Sequence, residues 1–577
     1  MKLSDVVAKF VADNSNGVVF GYQGTSVSHL IDSICLRDDL KYINVRNEQA
    51  AAFAACGYAL TSGNVGIGVA CSGPGATNLI TGIANAYYDS IPCIFFTGQV
   101  STFEMRKNMN IRQLGFQETD ITAIVKPITK YAVTIDKPDN ILYELEKAYY
   151  TAVNGRKGPV VIDLPHNIQS MQVEMDKLKH FYNIEKKYNK EKNEKVLEEF
   201  IRVFNNSLRP VIILGGGART LKDNKKYSEK IENLGIPIVT SYRARDFIDN
   251  RKKNYCGTIG AFGNRVANWA VNYSDCVLVL GSRLDGRQTG DGQNQFASEA
   301  KVLIVDLDSD ELDNMPARYK KVNGPIEDYI EIILDSIKKC QHNVWMEKLY
   351  KYKIQFPISD EYQKPLVNPN KFITTISSYV DNNCVVSADV GQNQMWVNTS
   401  FLFKKTQNFL QSCGHGTMGF SLPACIGGYL FKKVQCICFC GDGGLQMNIQ
   451  ELQTIECYKI PMKVFVFNNS SLGLIRVYQD KVLGGRKNGS VDGFGSPNYE
   501  YIAKAYSMDY YQIKDNNFDN DIKDILQNKK ACLVEVIVSQ ESTNYPEPTY
   551  KSKIINQSKE LGNDLIDNIR RELYELK

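Results

Sequence analysis

An apolar run at 434–440 leads into Gly441-Asp442-Gly443, and a second at 464–467 leads into Asn468-Asn469 some two dozen residues later. An Asp carboxylate, an Asn amide oxygen and a backbone carbonyl are hard oxygen donors suited to Mg²⁺, which keeps water or phosphate oxygens in its other positions. The glycines permit turns with positive φ and close backbone approach to a diphosphate. Parallel strands would bring both turns to one edge of a sheet, where α/β proteins bind ligands. Asp-Gly and Asn-Asn are also common turn residues, so two plain strand-end turns fit the same pattern. Gly215-Gly216-Gly217, again after an apolar run, reads either as a turn that a nucleotide can approach or as a plain turn. Cys436, Cys438 and Cys440 fall on one face of a strand. No further Cys or His pair completes a ligand set around them, so strand packing is expected. The five histidines, His29, His166, His180, His342 and His415, are isolated from one another, which argues against a His-based metal site.

The elements that must carry these residues follow from the pattern around them. Apolar, non-alternating runs at 17–20, 66–70 and 93–97 alternate with helical stretches such as 47–60. The alternation recurs at 211–215, 276–281 and 302–305, and again at 384–387, 434–440 and 463–467. Such strands belong to parallel sheets covered on both faces. The charged run 186–195, from Lys186, reads as a linker. So does the polar and aromatic stretch 340–370, from Cys340, with Pro357, Pro365 and Pro369. The expected fold is α/β, with three doubly wound parallel-sheet domains over 1–180, 190–340 and 365–545. A tail over 546–577 ends in a charged helix at 564–577. A chain of 577 residues has room for three such units.

Composition excludes several classes. With 43% hydrophobic and 23% charged residues, the chain is neither disordered nor coiled-coil. Lys and Arg total 68 against 64 for Asp and Glu, so no single-sign field draws it to nucleic acid or membrane. No apolar run approaches the ~18 residues of a membrane span, and the first residues lack a signal-peptide core. A cytoplasmic protein is expected. The 15 Cys are scattered, as small buried hydrophobes are, rather than spaced as a disulfide framework.

Gly-Asp-Gly followed by Asn-Asn resembles the thiamine diphosphate (ThDP) and metal motif of ThDP-dependent enzymes, and residues 1–540 resemble their acetolactate synthase branch. Arg46-Asn47-Glu48-Gln49, Ser72-Gly73-Pro74-Gly75-Ala76-Thr77-Asn78, Asp89-Ser90-Ile91-Pro92, Thr97-Gly98-Gln99 and Phe116-Gln117-Glu118 carry the resemblance. So do Lys126-Pro127, Lys130, Asp389-Val390-Gly391-Gln392, Gly416-Thr417-Met418-Gly419 and Leu422-Pro423-Ala424. The resemblance implies pyrimidine-binding, central nucleotide-type and diphosphate-binding domains, in that order. It implies that Glu48 hydrogen-bonds the aminopyrimidine of ThDP and drives the tautomer that activates the thiazolium carbon, with Gln117 beside it as the second catalytic residue. Tyr22, Gly24, Pro74, Asn78, Gly391, Gln392, Gly416, Met418, Gly441, Gly443 and Gly444 match cofactor-binding positions. Asp442, Asn469 and the Ser471 carbonyl match the Mg²⁺ ligands. Arg283, Asp285 and Asp306 match an FAD segment. Phe116, Lys130, Arg112 and Tyr478 match the substrate side. A homodimer or homotetramer with its active site at the subunit interface is implied, acting on a 2-oxoacid.

Several positions depart from that pattern. Phe262-Gly263-Asn264 stands where the synthases commonly have Met-His-Gly, which bears on FAD. Tyr478 replaces a Trp, His415 an apolar residue, and Asn393 a His. Arg112-Gln113-Leu114-Gly115 stands where small residues are common, and the tail Tyr545-Pro546-Glu547-Pro548-Thr549-Tyr550 lacks the usual ending. The expected activity is decarboxylation of pyruvate and ligation of the two-carbon unit to a second carbonyl. Alternatives are transfer of that unit to a nucleotide-linked keto sugar, or simple decarboxylation. The decarboxylase branch typically carries an adjacent His pair in its first domain, and no His-His dipeptide occurs here.

Overall fold

The structure, a computed structural model, describes residues 1–183, 187–339, 343–547 and 553–575. Lys186, Cys340, His342, Pro548, Thr549, Tyr550 and Lys577 lie outside them. Three six-stranded sheets follow one another along the chain, and every strand pairing within them is parallel. The first holds β1 (Val18–Gly21), β2 (Lys41–Asn44), β3 (Gly66–Ala70), β4 (Cys93–Gln99), β5 (Tyr131–Thr134) and β6 (Pro159–Pro165). The second holds β7 (Pro210–Leu214), β8 (Ile238–Thr240), β9 (Tyr255–Thr258), β10 (Cys276–Leu280), β11 (Lys301–Asp306) and β12 (Lys320–Asn323). The third holds β13 (Cys384–Ala388), β14 (Asn408–Gln411), β15 (Gln435–Gly441), β16 (Lys463–Asn468), β17 (Asp509–Ile513) and β18 (Cys532–Ile537).

The outer sheets share one strand order, β2-β1-β3-β4-β6-β5 and β14-β13-β15-β16-β18-β17. Their order reverses between β1 and β3 and between β13 and β15. The middle sheet runs β9-β8-β7-β10-β11-β12, the order of dinucleotide-binding folds, and reverses between β7 and β10. Each sheet is apolar on both faces. Val18 and Phe20 enter one core and Val19 the other, so the doubly wound expectation holds.

One core is shared by the first and third sheets, and two helices cross in it. The helix Glu48–Ser62 starts at Asn47, whose side chain accepts Gln49 N, and stops at Gly63 with φ 74°. Its Ala50–Ala55 run leaves a surface thin enough for Ser421–Lys432 to lie against it. A Cβ on Gly57 would stand 2.0 Å from Ala424 O, and one on Gly427 would stand 2.0 Å from Ala54 O. Helix propensity alone disfavours glycine here; the close approach of two backbones requires it.

Both expected linkers contain ordered helix. Lys190–Asn205 is helical, capped by Asn189, and buries Leu197, Phe200, Ile201 and Phe204. Within 340–370 lies the helix Asn343–Gln355, which buries Trp345, Leu349 and Tyr352 in a core of the middle unit. The tail returns to that same core. Ile554, Ile569 and Leu573 pack there, the last two on the helix Asn563–Tyr574. Among the described residues every Cys is free, and Cys436, Cys438 and Cys440 are buried along β15. Among the described residues no helix is long and apolar enough to cross a membrane.

Candidate functional site

At the β1/β3 reversal of the first sheet, Glu48 opens its helix and is 7% exposed. Its Oε2 accepts Asn78 Nδ2 at 2.9 Å. A Cβ on Gly75 would stand 3.1 Å from its Oε1, so the glycine keeps that oxygen uncovered. Gly73 has φ 61°, and a Cβ there would press on Gln117 Cβ at 2.8 Å. Gln117 itself holds φ 64°, a strained conformation for a side-chain-bearing residue. Pro74 begins the short helix to Asn78, and Gly24 lies against Cys71. Thus Gly24, Glu48, Pro74, Asn78 and Gln117 come together at one strand edge, with Tyr22 just past β1. Phe116 is 86% exposed and Arg112 is exposed beside it. Lys130 stands apart from them. It precedes β5, at the opposite edge of the sheet, and its Nζ donates to Thr151 O and to Asn154 O at the end of the helix Ile141–Val153. Burial pulls its pKa down to about 8.

At the β13/β15 reversal of the third sheet, Gly391-Gln392 and Gly441–Gly444 face each other. Asp442 is buried, with Gly443 N on its Oδ1 at 2.8 Å and Ser496 Oγ on its Oδ2 at 3.2 Å. Burial pushes its pKa up to about 6. Asn469 donates to Gln392 Oε1 at 3.0 Å, and its own oxygen receives Ser471 N at 3.2 Å. Ser542, unmarked in the sequence, ties both together: Gln392 Nε2 donates to its carbonyl at 2.8 Å. A Cβ on Gly443 would touch Met418 Cε at 3.4 Å, and Gly416 opens on empty space at φ 71°. Asp389 organises this turn. Its carboxylate takes Gly419 N at 2.9 Å, Ser421 N at 3.1 Å and Ser421 Oγ at 2.8 Å. Tyr478 lies, partly exposed, on the helix Gly473–Val482 that follows Ser471.

Among the described residues no three His, Cys, Asp or Glu side chains cluster as metal ligands. The Asp442 set offers one carboxylate, one amide and one carbonyl. That suits a Mg²⁺ completed by diphosphate oxygens.

The middle sheet faces a cavity of about 1290 Å³. Arg283, Asp285 and Asp306 all line it. Asp285 also caps the helix Gly286–Thr289, and burial raises the Asp306 carboxyl above its usual range. Gly215 and Gly281 meet at the β7/β10 reversal, where a Cβ on Gly215 would stand 2.0 Å from Gly281 O. Arg287, at the end of the segment 281–287 that resembles the FAD motif, lines it too, and arginines that carried no motif converge on it: Arg156, Arg219 and Arg243. Arg243 Nη1 is buried without a hydrogen-bond partner. Its Nη2 donates to Asp89 O at 3.3 Å, and an unpaired guanidinium nitrogen beside a glycine turn fits the diphosphate of a dinucleotide.

His29 and His166 are not isolated in space. Their rings lie 5.0 Å apart, which corrects the sequence reading. His166 follows β6 directly, and His29 lies in the first turn of the helix Ser28–Cys35, on the ligand-bearing edge of the first sheet.

Comparison with known proteins agrees with this division. Residues 1–124 match the N-terminal TPP binding domain of thiamine pyrophosphate enzymes, 197–332 their central domain, and 389–536 their C-terminal TPP binding domain. The chain is 33% identical to the acetolactate synthase large subunit of Lactococcus lactis, over 93% of this chain and 92% of that protein. A probable acetolactate synthase large subunit of Methanocaldococcus jannaschii is 32% identical over 93% and 92%. The acetolactate synthase large subunit of Porphyra purpurea is 31% identical over 92% and 90%. With all three domains matched in order and more than nine-tenths of the chain covered, the chain belongs to the thiamine pyrophosphate enzymes, in the acetolactate synthase large-subunit family.

Proposed function

We propose that the protein decarboxylates pyruvate and joins the remaining two-carbon unit to a second pyruvate, giving acetolactate and one CO₂. The observation that carries this reading is the pairing of the Glu48 edge in one sheet with the Asp442–Asn469 edge in its topological twin, in a chain of this family. Thiamine diphosphate, when bound, supplies the nucleophilic carbon that the loss of CO₂ needs. Glu48 holds or shares a proton through the oxygen that Gly75 leaves uncovered, while Asn78 fixes the other oxygen. Asp442, Asn469 and the Ser471 carbonyl hold Mg²⁺, and Gly443 and Gly444 admit the diphosphate. Gln117, for which Gly73 leaves room, orients the donor acid. Phe116, Arg112 and Tyr478 line the acceptor side. FAD would fit the middle cavity, where Arg243 and Arg219 would hold its diphosphate and Asp306 would accept from its ribose. The working form is a cytoplasmic homodimer or homotetramer, which covers the exposed Phe116 and Tyr22.

One observation favours a second reading, release of the unit as acetaldehyde: the His29–His166 pair stands in the first unit, where decarboxylases keep proton donors. Product analysis separates the two. Incubated with pyruvate, ThDP and Mg²⁺, the protein should yield acetolactate with one CO₂ for two pyruvates consumed. Acetaldehyde as main product would favour the second reading, and unconsumed pyruvate would defeat both.

A further inference from the structure

The backbone that delivers Glu48 is gripped from outside its own unit. Asn44 N donates to Tyr458 Oη at 2.8 Å, and Arg46 N donates to Glu451 Oε1 at 2.9 Å. Just past Glu48, Gln49 Oε1 accepts Asn448 Nδ2 at 3.1 Å. The three gripping side chains belong to one stretch of the third unit, 448–458, which follows the Gly441–Gly444 turn. Two of them are fully enclosed: Glu451 is 0% exposed and Asn448 is 1% exposed.

Burying a carboxylate costs several kcal/mol unless hydrogen bonds replace its water. Here those bonds are local and specific. Glu451 Oε2 accepts Thr454 Oγ1 at 2.6 Å, and its Oε1 accepts Arg46 N. The amide of Asn448 is shared as well. Its Nδ2 donates to Gly419 O at 3.0 Å as well as to Gln49. Gly419 follows Met418 and holds φ 84°. One side chain therefore joins the residue after Glu48 to the residue after Met418.

We propose that Asn448 and Glu451 are positioning residues for Glu48, locking segment 44–49 of the first unit to the Met418–Gly419 turn of the third. With the active site between subunits, the Glu48 end of one cofactor site is then tied to the Met418 end of its neighbour. This rests on the reading of Glu48 and Met418 given above.

The test uses full-length Glu451→Ala, Glu451→Gln and Asn448→Ala. Amide hydrogen exchange over 44–49 and 416–421 is followed by mass spectrometry without added cofactor. Turnover, KM for pyruvate and ThDP affinity are measured in parallel. Glu451→Ala should speed exchange at 44–49 and lower kcat about tenfold, the loss of one buried hydrogen bond, with KM little changed. Glu451→Gln still offers Arg46 N an acceptor and should recover that loss. Asn448→Ala should loosen both 44–49 and 416–421. Where the alanine variants do not fold, Tyr458→Phe, which removes only the hydroxyl on Asn44 N, is read by the same exchange.

Unchanged exchange at 44–49 overturns the proposal. So does loosened exchange with unchanged kcat, or Glu451→Gln as slow as Glu451→Ala. A fully active Glu48→Gln would instead remove the reading beneath it and leave the exchange result standing.

Discussion

Glu48 keeps one oxygen bound to Asn78 and one uncovered, so its chemistry and its geometry separate on substitution. Glu48→Gln retains size and the Asn78 contact and removes the ionisable group. Turnover should fall ~10²–10⁴-fold, the range of a general acid–base group, while calorimetry shows ThDP still bound. Asp442→Ala removes the one carboxylate of the metal set and leaves the diphosphate charge uncompensated. Retention of ThDP through gel filtration should then no longer depend on Mg²⁺. Asp163 makes a different prediction. It is 1% exposed, accepts Thr97 Oγ1 at 2.7 Å, Gln99 Nε2 at 3.1 Å and Thr134 Oγ1 at 3.1 Å, and burial pushes its pKa from 3.8 to about 7. Between those values the folded protein holds a proton that the unfolded chain has lost, so this group makes stability fall as pH rises. Asp163→Asn should flatten the thermal midpoint between about pH 4 and 7, the two pKa values; parallel curves for both proteins would contradict it. Asp442, Asn469, Gly73 and Gly443 could be found in the sequence because a turn's demands are local. Asp163, Arg243 and Glu451 could not, because their partners lie in other strands or other units.

Elements were readable where the apolar pattern was continuous, as in β10 and β15. The helix Asn343–Gln355 was not. Its buried positions Trp345, Leu349 and Tyr352 recur at helical spacing, but lysines and tyrosines between them mask the stripe and read as linker. The Glu48–Ser62 helix was visible, whereas its crossing partner was not, since crossing depends on backbone approach. Gly57→Ala and Gly427→Ala each force a methyl into a main-chain oxygen. Overpacking of this kind costs about 1–3 kcal/mol, or roughly 2–4 °C of thermal midpoint per kcal/mol in a unit of this size. Trimming Ala424 to glycine should not rescue Gly57→Ala, because the atom met is Ala424 O. A rescue in differential scanning fluorimetry would mean that side-chain contact, not backbone approach, sets the crossing.

The three units meet around the middle cavity. Arg156 of the first unit reaches Asp308 Oδ2 at 2.9 Å and Glu311 Oε1 at 2.7 Å in the second, and Cys413 of the third lines the same wall. A ligand there reports on assembly of the whole chain. Purified protein should be yellow and release flavin on denaturation, and Arg243→Met should shed the flavin with little change in thermal midpoint. A colourless wild type that FAD cannot reconstitute would confine those arginines to packing. The three-unit plan was evident from the sequence because strand–helix alternation repeats three times. The docking of the tail on the middle unit was not, because Gln557 reaches Ala261 O across hundreds of residues.

That docking has a consequence during synthesis. The middle sheet is complete once β12 has emerged, yet Ile554, Ile569 and Leu573 of its core follow roughly 230 residues later. At ~5–20 residues per second, a nascent chain presents Tyr273, whose ring partner Tyr574 lies in the tail, without that cover for tens of seconds, while the third unit is still being made. The middle unit should therefore be the part that recruits chaperones on the ribosome, and the last to resist protease in a translation time course.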